Sequence, residues 1–165
     1  MKIYFAGDHA GFELKKDLME FVKGLGNEVE DMGPFSYVVT DDYPDFVIPM
    51  ARKVAGENTT TPASGHPSST EEGKDQVRGI VCAGSGQGEV IAMNRVKGVR
   101  AVVYYGGRVD IVKVTREHND ANILSIGARF IGEAEAKAAV KLWLETPFSN
   151  DERHVRRLKK IDPAS

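Results

Sequence analysis

The stretch Gly84-Ser85-Gly86-Gln87-Gly88-Glu89 constrains this chain more than any other. It follows a short apolar run, Gly79-Ile80-Val81-Cys82-Ala83, and precedes a helix-like segment, Val90-Ile91-Ala92-Met93-Asn94-Arg95. A strand, a glycine-rich turn and a helix start make an anion cradle. Free backbone N–H groups converge there, and the helix dipole favours negative charge. A dinucleotide fingerprint, G-x-G-x-x-G, would place glycine where this chain has Glu89. A carboxylate there would repel a pyrophosphate. The loop therefore reads as holding a smaller, transient anion, with Glu89 placed to move a proton beside it.

The rest of the chain alternates strands and helices. Lys2–Gly7 reads as a first strand ending at Asp8-His9-Ala10-Gly11. Phe12–Leu25 has helical spacing, with Phe12, Leu14, Leu18, Phe21, Val22 and Leu25 apolar, and Gly26 closes it. Asn27–Met32 is a second strand stopped by Gly33-Pro34, and Tyr43–Gly56 reads as a helix that Pro49 must start or kink. Val77–Ala83, Val99–Tyr105 and Ile123–Gly127 are further apolar runs. The helical Glu133–Leu144 follows, and a C-terminal helix is expected around residues 150–161. This order predicts the α/β class: a three-layer α/β/α sandwich, Rossmann-like, around a five-stranded, mainly parallel sheet. Ligands of such sheets sit at the carboxyl ends of the strands. That expectation gathers Asp8-His9, the 84–89 loop and whatever follows Tyr105 and Gly127.

A chain of 165 residues is expected to form one domain, residues 1–165, with a real core. A net charge of −2 argues against a nucleic-acid or anionic-membrane partner. The single cysteine allows no internal disulfide and fits a reducing, cytoplasmic compartment. Charges recur every few positions through residues 1–30, which argues against a signal peptide or a membrane span. Residues 56–76 are dominated by Gly, Ser, Thr and Pro without apolar periodicity, and read as a flexible surface insertion in which His66 is solvated.

Several polar residues admit two readings. Asp8 and His9 directly follow an apolar strand: Asp8 can cap a helix, or both can face a ligand at the strand's carboxyl end. Arg116-Glu117-His118-Asn119-Asp120 can be a helix C-terminus with its turn, or a polar knot with a task. Arg153 and Arg157 are four apart on the C-terminal helix and share a face, as a phosphate clamp or a solvated basic surface. Cys82 lies inside an apolar strand, where cysteine is usually an inert hydrophobe. Glu89 can simply be a favourable acid in a first helical turn, but Gly84, Gly86 and Gly88 leave its carboxylate accessible.

Taken together, these pieces resemble the type B ribose-5-phosphate isomerases and their sugar-phosphate isomerase relatives. The resemblance is carried by Asp8-His9-Ala10-Gly11-Phe12-Glu13-Leu14-Lys15, Asp42-Tyr43-Pro44-Asp45, the 84–89 loop, Ile91–Ala101, Arg116–Asn122, Gly127-Ala128-Arg129 and Arg153–Arg157. It spans nearly the whole chain except residues 56–76. The family has a form with a catalytic cysteine just before the glycine loop and a form with a glutamate at the loop's end. Here the cysteine position falls on Ala83, and Glu89 occupies the glutamate position.

The resemblance implies these roles. Glu89 abstracts the C2 proton and returns it at C1, Asp8 binds the sugar ring oxygen or hydroxyls, and His118 assists ring opening. Ser85 and the backbone of Gly84, Gly86 and Gly88 stabilise the enediolate, and Asn119 holds it from the other side. His9, Arg129, Arg153, His154 and Arg157 surround the phosphate. The family builds its site between two subunits, so a homodimer or dimer of dimers is expected. It uses no metal or organic cofactor, and no tight His/Cys/Asp spacing contradicts that. Two alternatives stay open: the same chemistry on a hexose 6-phosphate or tetrose/tetrulose 4-phosphate, and a non-catalytic flavodoxin-like module for a phosphate or nucleotide.

Overall fold

A computed structural model describes residues 1–58 and 77–161. Five strands and six α-helices follow in order: β1 (Lys2–Gly7), α1 (Phe12–Gly24), β2 (Glu28–Asp31), α2 (Pro44–Asn58), β3 (Val77–Ala83), α3 (Gln87–Met93), β4 (Ala101–Tyr104), α4 (Ile111–Asn119), β5 (Ile123–Gly127), α5 (Glu133–Glu145) and α6 (Glu152–Ile161). The strands form one sheet in the order β2-β1-β3-β5-β4. Every neighbouring pair is parallel, with Lys2 opposite Val77 and Gly79 opposite Ile123.

Side chains alternate across a strand, so each strand feeds two cores. Ile3, Phe5, Ile80, Cys82, Leu124 and Ile126 face Leu18 and Val22 of α1, Val112 of α4 and Trp143 of α5. Tyr4, Ala6, Val81, Ala83 and Ile123 face Val47, Met50 and Val54 of α2 and Met93 of α3. The three-layer α/β/α arrangement is therefore present, and the sheet is parallel throughout. Continuous burial of β3 and β5 explains their largely apolar sequences, within which Arg78 and Ser125 are buried as well.

The boundaries differ from the sequence reading where local hydrogen bonds intervene. Pro44, at the first position of α2, has no N–H to leave unpaired. Pro49 then sits inside the helix rather than at its start, and α2 continues through Gly56 to Asn58. Three residues assigned to the 56–76 insertion are thus helical; its remainder, with His66, lies outside the described residues. β4 begins at Ala101 rather than Val99 because Val99 closes a turn onto Val96 and the Arg100 N–H is taken by the Asn122 side chain at 2.8 Å. The polar segment at 116–120 is the end of α4, closed by Asp120 in the left-handed region at φ 45°.

Gly11 sets how closely the first helix approaches the sheet. A Cβ at this position would lie 2.0 Å from the Cys82 carbonyl oxygen, a backbone atom that cannot swing away. Gly24, in the last turn of α1, has open space around it. Gly11→Ala is expected to destabilise the protein by at least about 2 kcal/mol. Gly24→Ala should stabilise it by about 0.5–1 kcal/mol. Urea unfolding midpoints of the two variants test this, and equal shifts would contradict the close approach.

Candidate active site

The sheet order reverses beside β1 and β3, and the carboxyl ends of these strands are tied by one side chain. Asp8 Oδ1 accepts from the Gly11 N–H at 2.9 Å, and its Oδ2 accepts from the Gly84 N–H at 3.2 Å. The Asp8 N–H in turn donates to the Cys82 carbonyl at 3.1 Å. Asp8 is thus a cap and a strand-to-loop tie at once, and each oxygen keeps a lone pair for a ligand.

The glycine loop is built by what surrounds it. Gly86 adopts φ 76° as the residue before α3, a left-handed conformation that glycine accepts without strain. Its carbonyl accepts from the Ser125 hydroxyl at 3.1 Å. The Gly84 carbonyl accepts from the Arg129 N–H at 3.1 Å, and the Arg129 guanidinium lies against the Gly84 Cα. Ser85 is exposed, and its Oγ accepts from the Gln87 N–H at 3.3 Å. Gly88 packs under the Tyr43 hydroxyl. Among the described residues the N–H groups of Ser85, Gly86 and Gly88 meet no acceptor, which leaves three donors on the cradle.

Glu89 lies in the first turn of α3 and is only 4% exposed. Burial pushes its carboxyl above the ordinary range, and the negative charges of Asp8 and Asp41 add to this. Its own backbone N–H opposes the shift without reversing it. His9 stands at the rim, its Nδ1 2.7 Å from Asp41 Oδ1. Asp41, paired with His9 and acting on Glu89, is a residue that the sequence reading did not single out. It precedes the Asp42-Tyr43-Pro44-Asp45 string in a segment without periodicity, where side-chain direction is not legible.

Cys82 does not reach this surface. Its side chain is fully buried among the α1 and α5 residues, on the sheet face opposite Ala83, and burial pushes the thiol far above its usual range.

The remaining candidates form a second group. α4 runs from the carboxyl end of β4 to the amino end of β5, so His118 and Asn119 lie at the opposite edge of the sheet. The Arg100 side chain, just before β4, confirms the placement by donating to the Asn119 carbonyl at 3.1 Å. The His118 and His154 rings stack at 4.2 Å between centroids. His154 is buried and its Nδ1 pairs with Ser149 Oγ at 2.9 Å. Burial, then the charges of His118 and Arg153, lower its pKa. Arg153 and Arg157 flank it one turn apart, both exposed. Arg116 holds this corner together, donating to the carbonyls of Thr146 at 3.3 Å and Ala121 at 2.6 Å and pairing with Asp120 at 2.8 Å.

One chain therefore brings together Asp8, His9, the 84–89 loop and Arg129, and separately His118, Asn119, Arg153, His154 and Arg157. A five-residue strand, β5, separates the two groups by roughly 15 Å. Among the described residues no cluster of His, Cys, Asp and Glu is arranged to hold a metal ion, and no helix is long and apolar enough to cross a membrane.

A buried acid beside free N–H donors suits proton transfer on a small anionic substrate. Comparison with known proteins shows the family. The model of the Ribose/Galactose Isomerase family matches residues 3–161. Ribose-5-phosphate isomerase B of Mycobacterium leprae (strain TN) is 38% identical over 158 residues, covering 96% of this chain and 86% of the relative. The Escherichia coli (strain K12) enzyme of the same name is 34% identical over 160 residues, 97% and 93% of the two chains. The crystal structure of ribose-5-phosphate isomerase B from Mycoplasma genitalium with bound ribulose-5-phosphate superposes with a TM-score of 0.83 at 33% identity, covering 97% of this chain and 93% of that one. The chain belongs to the Ribose/Galactose Isomerase family. Within it, the chain is an aldose–ketose isomerase of the ribose-5-phosphate isomerase B type.

The burial of Cys82 has a direct consequence. Iodoacetamide should label it only as fast as the protein opens, so that labelling in urea tracks unfolding. Labelling of the folded protein at the rate of free cysteine would contradict the packing.

Proposed function

We propose that the protein interconverts ribose 5-phosphate and ribulose 5-phosphate through an enediolate, with Glu89 as the single base. The observation that carries this reading is the buried Glu89 carboxyl, with raised proton affinity, beside the N–H groups of Ser85, Gly86 and Gly88, which meet no acceptor among the described residues. Aldose–ketose exchange moves one proton between adjacent carbons, so one carboxylate of suitable basicity serves both steps. The charge that develops on the two oxygens needs fixed donors, which the loop supplies. Asp8 then takes the sugar ring oxygen or hydroxyls, and Ser85 adds a hydroxyl to the cradle.

The second half of the site comes, in this reading, from another copy of the chain. His118, for ring opening, and Asn119, for the enediolate, are roughly 15 Å from the loop within one chain. Arg153, His154 and Arg157 stand with them. In a homodimer they complete the phosphate site of the partner together with His9 and Arg129. The surface beside the loop supports such pairing. Tyr105 and Phe130, 49% and 64% exposed, meet ring to ring at 6.1 Å, and Ile91 on α3 is 62% exposed. Arginine forks hold a dianionic phosphate bidentately and so position the reacting carbons. The family description also names galactose, so a hexose 6-phosphate is the second reading. A panel of aldose phosphates, followed for ketose formation, separates the two.

Glu89→Gln should bind substrate and lose at least about a hundredfold in kcat, whereas Cys82→Ser should stay active. Because only ionised Glu89 accepts a proton, activity rises with pH through its pKa. The acidic limb of kcat/KM should therefore lie above the ordinary glutamate value of about 4.3. A limb at or below that value, or an active Glu89→Gln enzyme, contradicts the assignment.

Mixing inactive Glu89→Gln and His118→Ala chains should restore part of the activity, because heterodimers then contain one intact site. A fully active monomer in sedimentation runs, or mixtures that never recover, would exclude the shared site.

A further inference from the structure

The roles assigned so far leave Asp41 unused. It lies in the loop between β2 and α2, and its side chain is 4% exposed. Oδ1 sits 2.7 Å from His9 Nδ1, while Oδ2 is buried without a hydrogen-bond partner among the described residues. A buried carboxylate with an idle oxygen is costly. A fold that keeps one gains something from the geometry it enforces.

That geometry concerns His9. An ionised carboxylate only accepts, so His9 Nδ1 must carry the hydrogen. Nε2 is left as the ring nitrogen open to a ligand, and no described residue pairs with it. The ring cannot turn freely about this bond. Tyr37 meets it edge-on, with centroids 6.2 Å apart at 86°, and Tyr37 leans in turn on Phe12 at 6.2 Å. The His9 backbone is held independently, in a single 3₁₀ turn capped by Asp8. Backbone and ring are thus fixed by two different carboxylates.

We propose that Asp41 is a positioning residue that holds His9 as an Nδ1–H donor and presents Nε2 to the substrate phosphate. This rests on the reading of His9 as a phosphate ligand of the isomerase. In the loaded site the ring gives an Nε2 hydrogen to a phosphate oxygen, and the Asp41 carboxylate balances the imidazolium from the other side. The interaction anchors a group remote from the reacting carbons, so it belongs to binding more than to proton transfer.

The test combines kinetics on the full chain with ¹⁵N spectra of its histidines. Asp41→Ala should raise KM for ribose 5-phosphate roughly tenfold, the loss of a charge-assisted hydrogen bond, and change kcat less than about threefold. Asp41→Asn keeps an accepting oxygen. It should preserve the Nδ1–H tautomer of His9 while raising KM about threefold or more, since the balancing charge is gone. The pair His9→Ala and Asp41→Ala together should cost no more than His9→Ala alone. The inference is overturned by a wild-type His9 bearing its hydrogen on Nε2, by costs that multiply in the double variant, or by an unchanged KM in Asp41→Asn. The tautomer is read without turnover. A wild-type protein that does not isomerise ribose 5-phosphate but shows the Nδ1–H form refutes the functional reading. Full activity with the wrong tautomer refutes the role of Asp41 alone.

Discussion

The two oxygens of Asp8 accept from N–H groups on either side of the junction between β1 and β3, at Gly11 and at Gly84. Much of the site follows from that tie. It fixes the turn that carries His9 and the entry of the glycine loop, and through the loop it fixes the start of α3 and Glu89. The glycine at position 11 lets this turn lie on the Cys82 carbonyl, so the tie is short. Further along, Ser125 of β5 holds the Gly86 carbonyl and Arg129 holds that of Gly84. Three neighbouring strands thus position a loop whose own residues are mostly glycine.

The electrostatics of that loop pull in two directions, and the magnitudes decide. A helix start favours an ionised acid by about 0.3–1 kcal/mol when exposed. Glu89 is buried, and loss of water around a carboxylate outweighs a dipole of that size. Two further carboxylates, Asp8 and Asp41, act in the same direction as burial. The result is an acid that holds its proton more tightly than usual beside donors that meet no acceptor among the described residues. At the far edge of the sheet the sign is reversed: burial and neighbouring cations disfavour charge on His154.

Much of this was legible in the sequence, for identifiable reasons. Strands buried on both faces leave largely apolar runs, so β1, β3 and β5 were readable in spite of Arg78 and Ser125, and their parallel order followed from the helices between them. The Gly-Ser-Gly-Gln-Gly-Glu string announced the cradle because a helix start set among three glycines, two before it and one in its first turn, has few other uses. From sequence Pro49 could start its helix or lie within it; that it lies within depends on Pro44 opening α2 five residues earlier. The polar run at 116–120 showed only its type. That it ends α4 at the far edge of the sheet depends on chain path, which periodicity does not encode. Asp41 was missed because its importance comes from a contact with His9, thirty-two positions away.

The central strand pair also governs how the chain reaches this state. Lys2 lies opposite Val77, so joining β1 to β3 closes a loop of roughly 75 residues. Loop-closure entropy grows only with the logarithm of length. Removing about 20 residues from that loop would ease closure by only about 0.3 kcal/mol. The stretch rich in Gly, Ser, Thr and Pro between α2 and β3 thus lies where added length is thermodynamically cheap. Speed is another matter. A sheet whose middle strands meet only across so distant a stretch of chain has high contact order, and its assembly is correspondingly slow. The junction that organises the site is among the most non-local contacts the chain must make.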